Sequence, residues 1–398
     1  MARHTQGYTL VELVVVILIF SVVMTLISVS FARIVTSSAQ IVKSAETDIG
    51  GLIGLELLRC DLELAGFGLP WSLPSGTTYS EAGSGNLVKG CQPNCPGTAP
   101  SNFNDAPGNP PRAYLVGDNA GFNGSDYLVL KGTALGMSAV SRSWSYLNYS
   151  SSSVVVKPSR TEVELTPGNG DRVIVLRGGA TASGEPTREL VTDGPGSGFS
   201  LVFNLPLPAK FRPGSQEERF QVYGVAPADS NGLPLAFPFN RSDYYLSLPD
   251  SGPISSNCAP GTGILYKTTL NQNGTLTKYP ILDCVLDLQV VFGLDTSGSG
   301  NVEYHASDLS ALGYTTAGDL RDHVREIRVY ILAQQGRKDP GYLYPLTSPK
   351  TAIFLGDPSL DPALGRTWAE PDLTATVGPE WRNYHWKLYT IVVQPKNL

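Results

Sequence analysis

Between Leu13 and Ala32 lie 20 consecutive residues without a charge, LVVVILIFSVVMTLISVSFA. About 20 apolar residues are what a helix needs to cross roughly 30 Å of hydrocarbon. A soluble core helix of this length normally keeps a polar stripe, and this segment has none, so it reads as membrane-inserting. Arg3 precedes it. Flanking cations set orientation while acids count for little, so the N-terminus is expected in the cytoplasm and the bulk of the chain across the membrane. In a Gram-negative cell that compartment is the periplasm. The remainder holds enough apolar side chains for a core, with 41% hydrophobic and 9% aromatic residues in the whole chain. Its 42 Gly and 30 Pro, against only 16% charged residues, point to turns and long loops. A net charge of −6 speaks against binding a phosphate backbone, so no nucleic-acid partner is expected.

A secretory signal peptide would place a small-residue cleavage site after its apolar run. Here the informative residues come before the run, in Gly7-Tyr8-Thr9-Leu10-Val11-Glu12-Leu13. A carboxylate beside hydrocarbon is costly, about 2.5 to 3.5 kcal/mol at a helix centre, so Glu12 calls for a cation. The stretch resembles the class III signal of type IV prepilins in three features at once: Gly before the cut, an aromatic first mature residue, and Glu at the fifth mature position. That resemblance implies that a prepilin peptidase cuts between Gly7 and Tyr8 and methylates the new amine of Tyr8. It further implies that Glu12 pairs with this amine on a neighbouring subunit, giving register to helices that lipid alone does not order. Most members of the family carry Phe where this chain has Tyr8, and the aromatic character is retained.

Beyond the membrane segment, Ile41, Ala45, Ile49, Leu52, Leu55, Leu58 and Leu62 recur at spacings of 3 and 4, one apolar stripe on one helix. A continuous helix from Tyr8 to Ala65 would extend about 87 Å, too long for a compact domain and suited to a stem entering a globular head. Gly50, Gly51 and Gly54 each cost about 1 kcal/mol of helix propensity and are expected to admit close packing of a sheet or helix. Arg59-Cys60-Asp61-Leu62-Glu63-Leu64-Ala65-Gly66-Phe67-Gly68 supplies a glycine stop. It resembles the helix-ending stretch of PilW-like minor pilins, and Trp386 to Val393 with Pro395-Lys396-Asn397 resembles their closing strand.

These features divide the chain into a cleaved leader (1–7), a transmembrane and filament-core helix (8–32), an amphipathic continuation of the stem (33–66) and a β-rich head (67–398). Pro70 to about Phe122, rich in Gly, Ser, Pro and Asn, reads as a long loop or insertion. Short β-branched or alternating runs then predict strands at Tyr127–Lys131, Val154–Lys157, Arg172–Leu176, Phe220–Val225, Gly263–Lys267, Val285–Phe292, Glu326–Leu332 and Lys387–Val393. Asn123-Gly124, Asn231-Gly232 and Asn273-Gly274 are turn signals. The fold class expected is α+β: a long N-terminal stem helix packed on an antiparallel sheet, with long β-rich and loop insertions, as in type IV pilins.

Five cysteines, at 60, 91, 95, 258 and 284, all follow the membrane segment and fall in an oxidising compartment. Cys91 with Cys95 and Cys258 with Cys284 are the candidate disulfides, leaving Cys60 free, although an odd count leaves connectivity open. Asp295-Thr296-Ser297-Gly298-Ser299-Gly300-Asn301-Val302-Glu303 has the spacing of a calcium loop, with Asp295, Ser297, Ser299 and Glu303 as ligand candidates. It is poor in charge and has Ala306 where a bidentate Glu is wanted, so a polar hairpin explains it as well. No other cofactor is expected. The four His residues stand at 4, 305, 323 and 385, and neither G-x-S-x-G nor H-E-x-x-H occurs. His323 beside Asp322 reads as a surface residue at a strand start, and Trp368, Trp381, Trp386 and Tyr384 as core.

The expected function is non-enzymatic. The resemblance implies a minor pilin of a type IV pilus, placed in its initiating or tip complex. It is held in the inner membrane with its head in the periplasm, and then enters an extracellular filament. Its partners would be the prepilin peptidase, the inner-membrane assembly machinery, membrane lipid before assembly, and other minor pilins with the major pilin. The alternatives are a J-type pseudopilin of type II secretion, or a tip adhesin or ligand-binding module suggested by the Ser/Gly/Asn-rich insertions.

Overall fold

The structure, a computed structural model, describes residues 10–85, 87–90, 98–149, 154–158, 165–181, 184–196, 198–227, 234–345 and 352–398, with the side chains of 32–50 and 154–158 excluded. A single helix, α1 (Leu10–Leu64), runs 55 residues, about 80 Å at ~1.5 Å per residue. The head then forms β1 (Tyr114–Gly117), β2 (Tyr127–Gly132), β3 (Trp144–Tyr149), β4 (Val154–Pro158), β5 (Arg172–Ala180), β6 (Pro186–Leu190), β7 (Ser200–Val202) and β8 (Arg219–Ala226). There follow β9 (Asn240–Ser247), β10 (Gly263–Leu270), β11 (Leu276–Leu294), β12 (Tyr304–Ala306), β13 (Val324–Gln335), β14 (Ala352–Leu355), β15 (Arg366–Ala369) and β16 (His385–Val393). Two short α-helices, α2 (Ala317–His323) and α3 (Glu370–Thr376), and several 3-10 turns complete the described elements.

The largest sheet has the order β1-β2-β9-β10-β11-β13-β16, with β12 added to β11, and its neighbours pair antiparallel. A second sheet runs β4-β3-β8-β5-β6 with β7 on β5, and β14 pairs with β15. This is the α+β, pilin-like architecture the sequence implies. All eight predicted strands are present, several of them longer than their apolar runs.

Alternation along the strands shows which layers they separate. On β13, Ile327, Val329 and Ile331 share a core with Leu55, Leu58 and Leu62 of α1, whereas Tyr330 and Leu332 face a second core with Trp368, Trp381 and Trp386. On β5, Ile174 and Leu176 join the α1 core, whereas Val173 and Val175 face a third core with Phe203 and Phe220. The main sheet is thus covered by α1 on one side and by the segment holding β14, β15 and α3 on the other. The second sheet lies against the principal core by one face.

Among the described residues the head holds three sheets, and β3 to β8 pair among themselves, so the β-rich insertion is a sheet of its own. Two expectations are corrected. The stretch after Pro70 is more than a surface loop: it contributes β1, and Tyr79, Ala82, Val88 and Phe103 are buried in the principal core. Leu52, one of the residues of the apolar stripe, is 59% exposed, because the close contact of the helix with the sheet falls on the glycines beside it.

Candidate functional site

The N-terminal half of α1 is the first functional segment. From Leu10 to Phe31 it has a mean hydropathy of 3.0 and is long enough to cross a membrane, and none of it is buried against the head. Two of its hydroxyls are satisfied within the helix: Ser21 donates to the Leu18 carbonyl and Thr25 to the Ser21 carbonyl, both at 2.8 Å. Such bonds remove the cost of an unsatisfied hydroxyl in lipid. Glu12 lies in the first turn of α1 and is exposed between Val11 and Leu13, which are 69% and 58% exposed. Gly7 and Tyr8 lie outside the described residues.

The C-terminal half is fixed into the head by close backbone approach. A Cβ on Gly54 would stand 2.2 Å from the Ile281 carbonyl oxygen, and one on Gly51 would stand 2.9 Å from Leu282 Cδ1. The glycines therefore bring helix backbone onto β11, with Leu55, Leu58 and Leu62 buried directly after them. Asp61 then faces into the sheet, where the Lys267 ammonium lies 2.5 Å away and the Tyr244 hydroxyl donates at 2.7 Å.

The free carbonyls at the helix end are each satisfied from the head. Tyr114 donates its hydroxyl to the Leu62 carbonyl, Asn397 its amide to that of Glu63, and the Phe67 N–H goes to that of Leu64. Gly66 and Gly68 turn the chain with φ of +84° and +67°, the left-handed region that favours glycine. The Gly66 N–H reaches the Lys131 carbonyl on β2 at 2.9 Å.

A second buried polar cluster stands under the segment after Pro70. Lys131 of β2 contacts Glu81 at 2.8 Å and Asp105 at 2.7 Å, and Asp105 also pairs with Arg112. Arg241 of β9 makes two bonds to Asp243, at 2.7 and 2.9 Å, and reaches Glu81 and Asn104. Burial alone would raise the Asp105 carboxyl, but Lys131 and Arg112 hold it below its ordinary value. Burial lowers the Lys131 ammonium, with Glu81 and Asp105 opposing. The charges are mutually paired, the condition for buried ions to persist. They tie the irregular segment to the centre of the sheet.

The remaining predicted residues disperse. Cys258 and Cys284 are joined by a disulfide, and Cys284 sits with φ of +57° inside β11. Cys60 is a free thiol, half-buried on α1, with its pKa raised by burial and then by Asp61. Cys91 and Cys95 lie outside the described residues.

In the candidate calcium loop, Asp295 accepts the N–H groups of Gly298, Ser299 and Gly300, and pairs with Arg325 at 3.2 Å. Glu303 accepts the hydroxyls of Thr296, Ser297 and Ser299. The carboxylates are thus occupied in closing the hairpin. His323 ends α2 with its ring stacked on Tyr314 at 4.3 Å, and Trp368, Trp381, Tyr384 and Trp386 are buried core.

Residues 2–28 carry the prokaryotic N-terminal methylation motif. The match spans Gly7, Tyr8, Glu12 and most of the exposed apolar half of α1, so the chain has a type IV prepilin-like N-terminus. No curated protein and no solved structure matches the chain. The Asp61 anchor and the Lys131 cluster are not singled out in the sequence reading. Asp61 enters it only as part of the helix-ending stretch Arg59 to Gly68, and the available sign is a carboxylate inside the run Leu58 to Leu62, on the apolar side of the stem.

Proposed function

We propose that this chain is a minor pilin, similar to PilW-like proteins, that acts by assembly and not by catalysis. The observation that carries the reading is one continuous helix. Its first part, Leu10 to Phe31, carries most of the methylation motif, is exposed and has Glu12 as its one charge, and its C-terminal part is anchored in the head. A prepilin peptidase removes residues 1–7 and methylates Tyr8. The helix waits in the inner membrane with the head in the periplasm, then moves into the core of a filament. There Glu12 meets the Tyr8 amine of an adjacent subunit, and the head stands at the initiating or tip position with other minor pilins above the major pilin.

Intact mass spectrometry of the protein from cells with and without prepilin peptidase tests the processing. A methylated Tyr8 terminus seen only with the peptidase is the expected result, and a chain beginning at Met1 in both strains overturns it. A deletion strain then assigns the machine. Loss of pili supports the minor-pilin reading, whereas normal pili with lost protein secretion would transfer the chain to a type II secretion pseudopilus.

A further inference from the structure

Lys131, the penultimate residue of β2, carries a wholly buried ammonium between two carboxylates that are themselves buried. Its Nζ lies 2.7 Å from Asp105 Oδ2 and 2.8 Å from Glu81 Oε2, with the centre of the Phe239 ring 5.3 Å away. A primary amine, a carboxyl carbon and a second carboxylate thus meet in a site closed to bulk water.

The surroundings hold Asp105 in place. Glu81 Oε1 accepts the backbone N–H groups of Asp105 and Ala106 at 2.7 and 3.1 Å, which keeps that main chain beside Lys131. Arg112 donates from Nε to Asp105 Oδ1 at 2.6 Å and from its backbone N–H to Oδ2 at 2.9 Å. Well-oriented groups within one molecule react with effective concentrations on the order of 10⁵ to 10⁸ M. The charge count favours the same outcome. Lys131, Arg112 and Arg241 face Glu81, Asp105 and Asp243, three against three. Joining Lys131 to Asp105 removes one charge of each sign, leaves the rest balanced and relieves the desolvation cost of a buried ion pair.

We propose that Lys131 and Asp105 condense after folding into an intramolecular amide, with Glu81 as the proton carrier. Two of the three ammonium protons pass through the Glu81 carboxylate to Asp105 Oδ2. Nζ bonds to Cγ, the Cγ–Oδ2 bond breaks, and one water leaves. Glu81 ends ionised as it began, and no oxidant or reductant takes part. The negative charge that develops on Oδ1 during attack meets the Arg112 Nε–H already aimed at that atom. Burial lowers the Lys131 ammonium and so favours the free amine, with Glu81 and Asp105 opposing. Burial also raises the Asp105 carboxyl, but Lys131 and Arg112 hold it low, so Oδ2 takes its proton from Glu81 only as the amine attacks. The product fastens the segment after Pro70 covalently to β2 of the main sheet. All of these residues belong to the head, so the inference stands or falls apart from the assembly reading.

The full-length protein, purified in detergent, is denatured, reduced, alkylated and digested with trypsin, and its peptides are sequenced by mass spectrometry. Trypsin does not cut after an acylated lysine. The expected result is therefore residues 90–112 and 113–142 recovered as one branched product, lighter by one water than its two parts, with fragmentation placing the link between Asp105 and Lys131. Cleavage after Lys131 throughout, with 90–112 and 113–131 as separate peptides, overturns the proposal, even where Asp105 has lost a water to its own backbone. A link from Lys131 to Glu81 overturns it equally. Glu81→Gln keeps an acceptor for the Asp105 and Ala106 N–H groups but cannot carry the proton, so formation should slow by about 10²-fold or more and the branched peptide should be missing from freshly made protein. Parental yield of that peptide from folded Glu81→Gln overturns the proton-carrier role, and if this variant does not fold, the parental digest alone decides.

Discussion

Asp61, on the last turns of α1, holds the ammonium of Lys267 on β10 at 2.5 Å while accepting the Tyr244 hydroxyl from β9 at 2.7 Å, and all three side chains are buried. The stem is therefore joined to the centre of the main sheet by a charge pair that water does not reach. Removing one partner of such a pair leaves an uncompensated buried charge, which costs about 3 to 5 kcal/mol, whereas replacing both by apolar groups is often neutral. Asp61→Ala should accordingly lower the denaturation midpoint of the full-length protein sharply, and the double variant Asp61→Leu, Lys267→Met should recover most of the loss. Chemical denaturation followed by tryptophan fluorescence measures both. A double variant no better than the single one would show that the pair has little energetic coupling.

The glycines about two to three turns earlier make a second, steric prediction. At Gly54 an added methyl meets backbone, the Ile281 carbonyl at 2.2 Å, so helix and strand must separate. At Gly51 it meets the end of a flexible Leu282 side chain at 2.9 Å, which can rotate away. Gly54→Ala should therefore destabilise by a few kcal/mol, in the range of overpacking, despite the better helix propensity of Ala. Gly51→Ala should be close to neutral. Limited proteolysis at the stem–head junction, run side by side on the two variants, separates them, and equal protection would contradict the close-contact argument.

The pattern of hydrophobic residues makes the outline legible and leaves the anchors hidden, for a physical reason. Apolar periodicity reports which face of an element is buried, and that suffices for α1 and for strands such as β11 and β13. The strand β9 gives no such signal because its sequence, NRSDYYLS, opens with polar residues, yet Arg241, Ser242 and Asp243 are buried. Arg241 and Asp243 can be buried only because Glu81, Asn104 and Tyr127 arrive from distant positions to satisfy them. A polar residue whose partner lies more than a hundred positions away leaves no local trace. Trp368 and Trp386 are the opposite case: large aromatic residues among short apolar runs imply a core, and a separate core behind the main sheet is where they lie.

Acidity should add stability at one buried carboxyl. Asp287 on β11 is buried, accepting the Trp368 indole N–H at 2.7 Å and facing Arg366 at 3.6 Å, with Gln289 and the Leu288 N–H on its other oxygen. Burial pushes its carboxyl up to about 6, and Asp126 nearby is pushed in the same direction. A group raised in the folded state binds more protons folded than unfolded, so its contribution to stability is absent at neutral pH. That contribution appears as pH falls through about 6 and is complete near the ordinary carboxylate range. Its size is on the order of 2 to 3 kcal/mol. Asp287→Asn, which imitates the protonated acid, should remove this slope: the gap between variant and wild-type midpoints should shrink on going from about pH 7.5 to about pH 5. A gap independent of pH would mean that Asp287 does not titrate in this window.

Glu12 carries the last prediction, which concerns assembly. Its side chain is exposed within the Leu10–Phe31 stretch of α1, none of which is buried against the head, so its replacement should leave the fold of the head unchanged. Glu12→Leu should also insert in the membrane at least as well as the parent chain, since an acidic residue is costly there and leucine is favourable. The expected defect lies later, when helices leave lipid for a filament and an apolar surface alone fixes no register. In a deletion strain complemented with Glu12→Leu, the protein should accumulate in the inner membrane with Tyr8 as its first residue and should be missing from sheared surface filaments. Glu12→Asp, which keeps the charge on a shorter side chain, should restore part of the incorporation. If Glu12→Leu reached the filaments at parental level, the carboxylate would have no part in register, and the exposed apolar helix by itself would have to account for assembly.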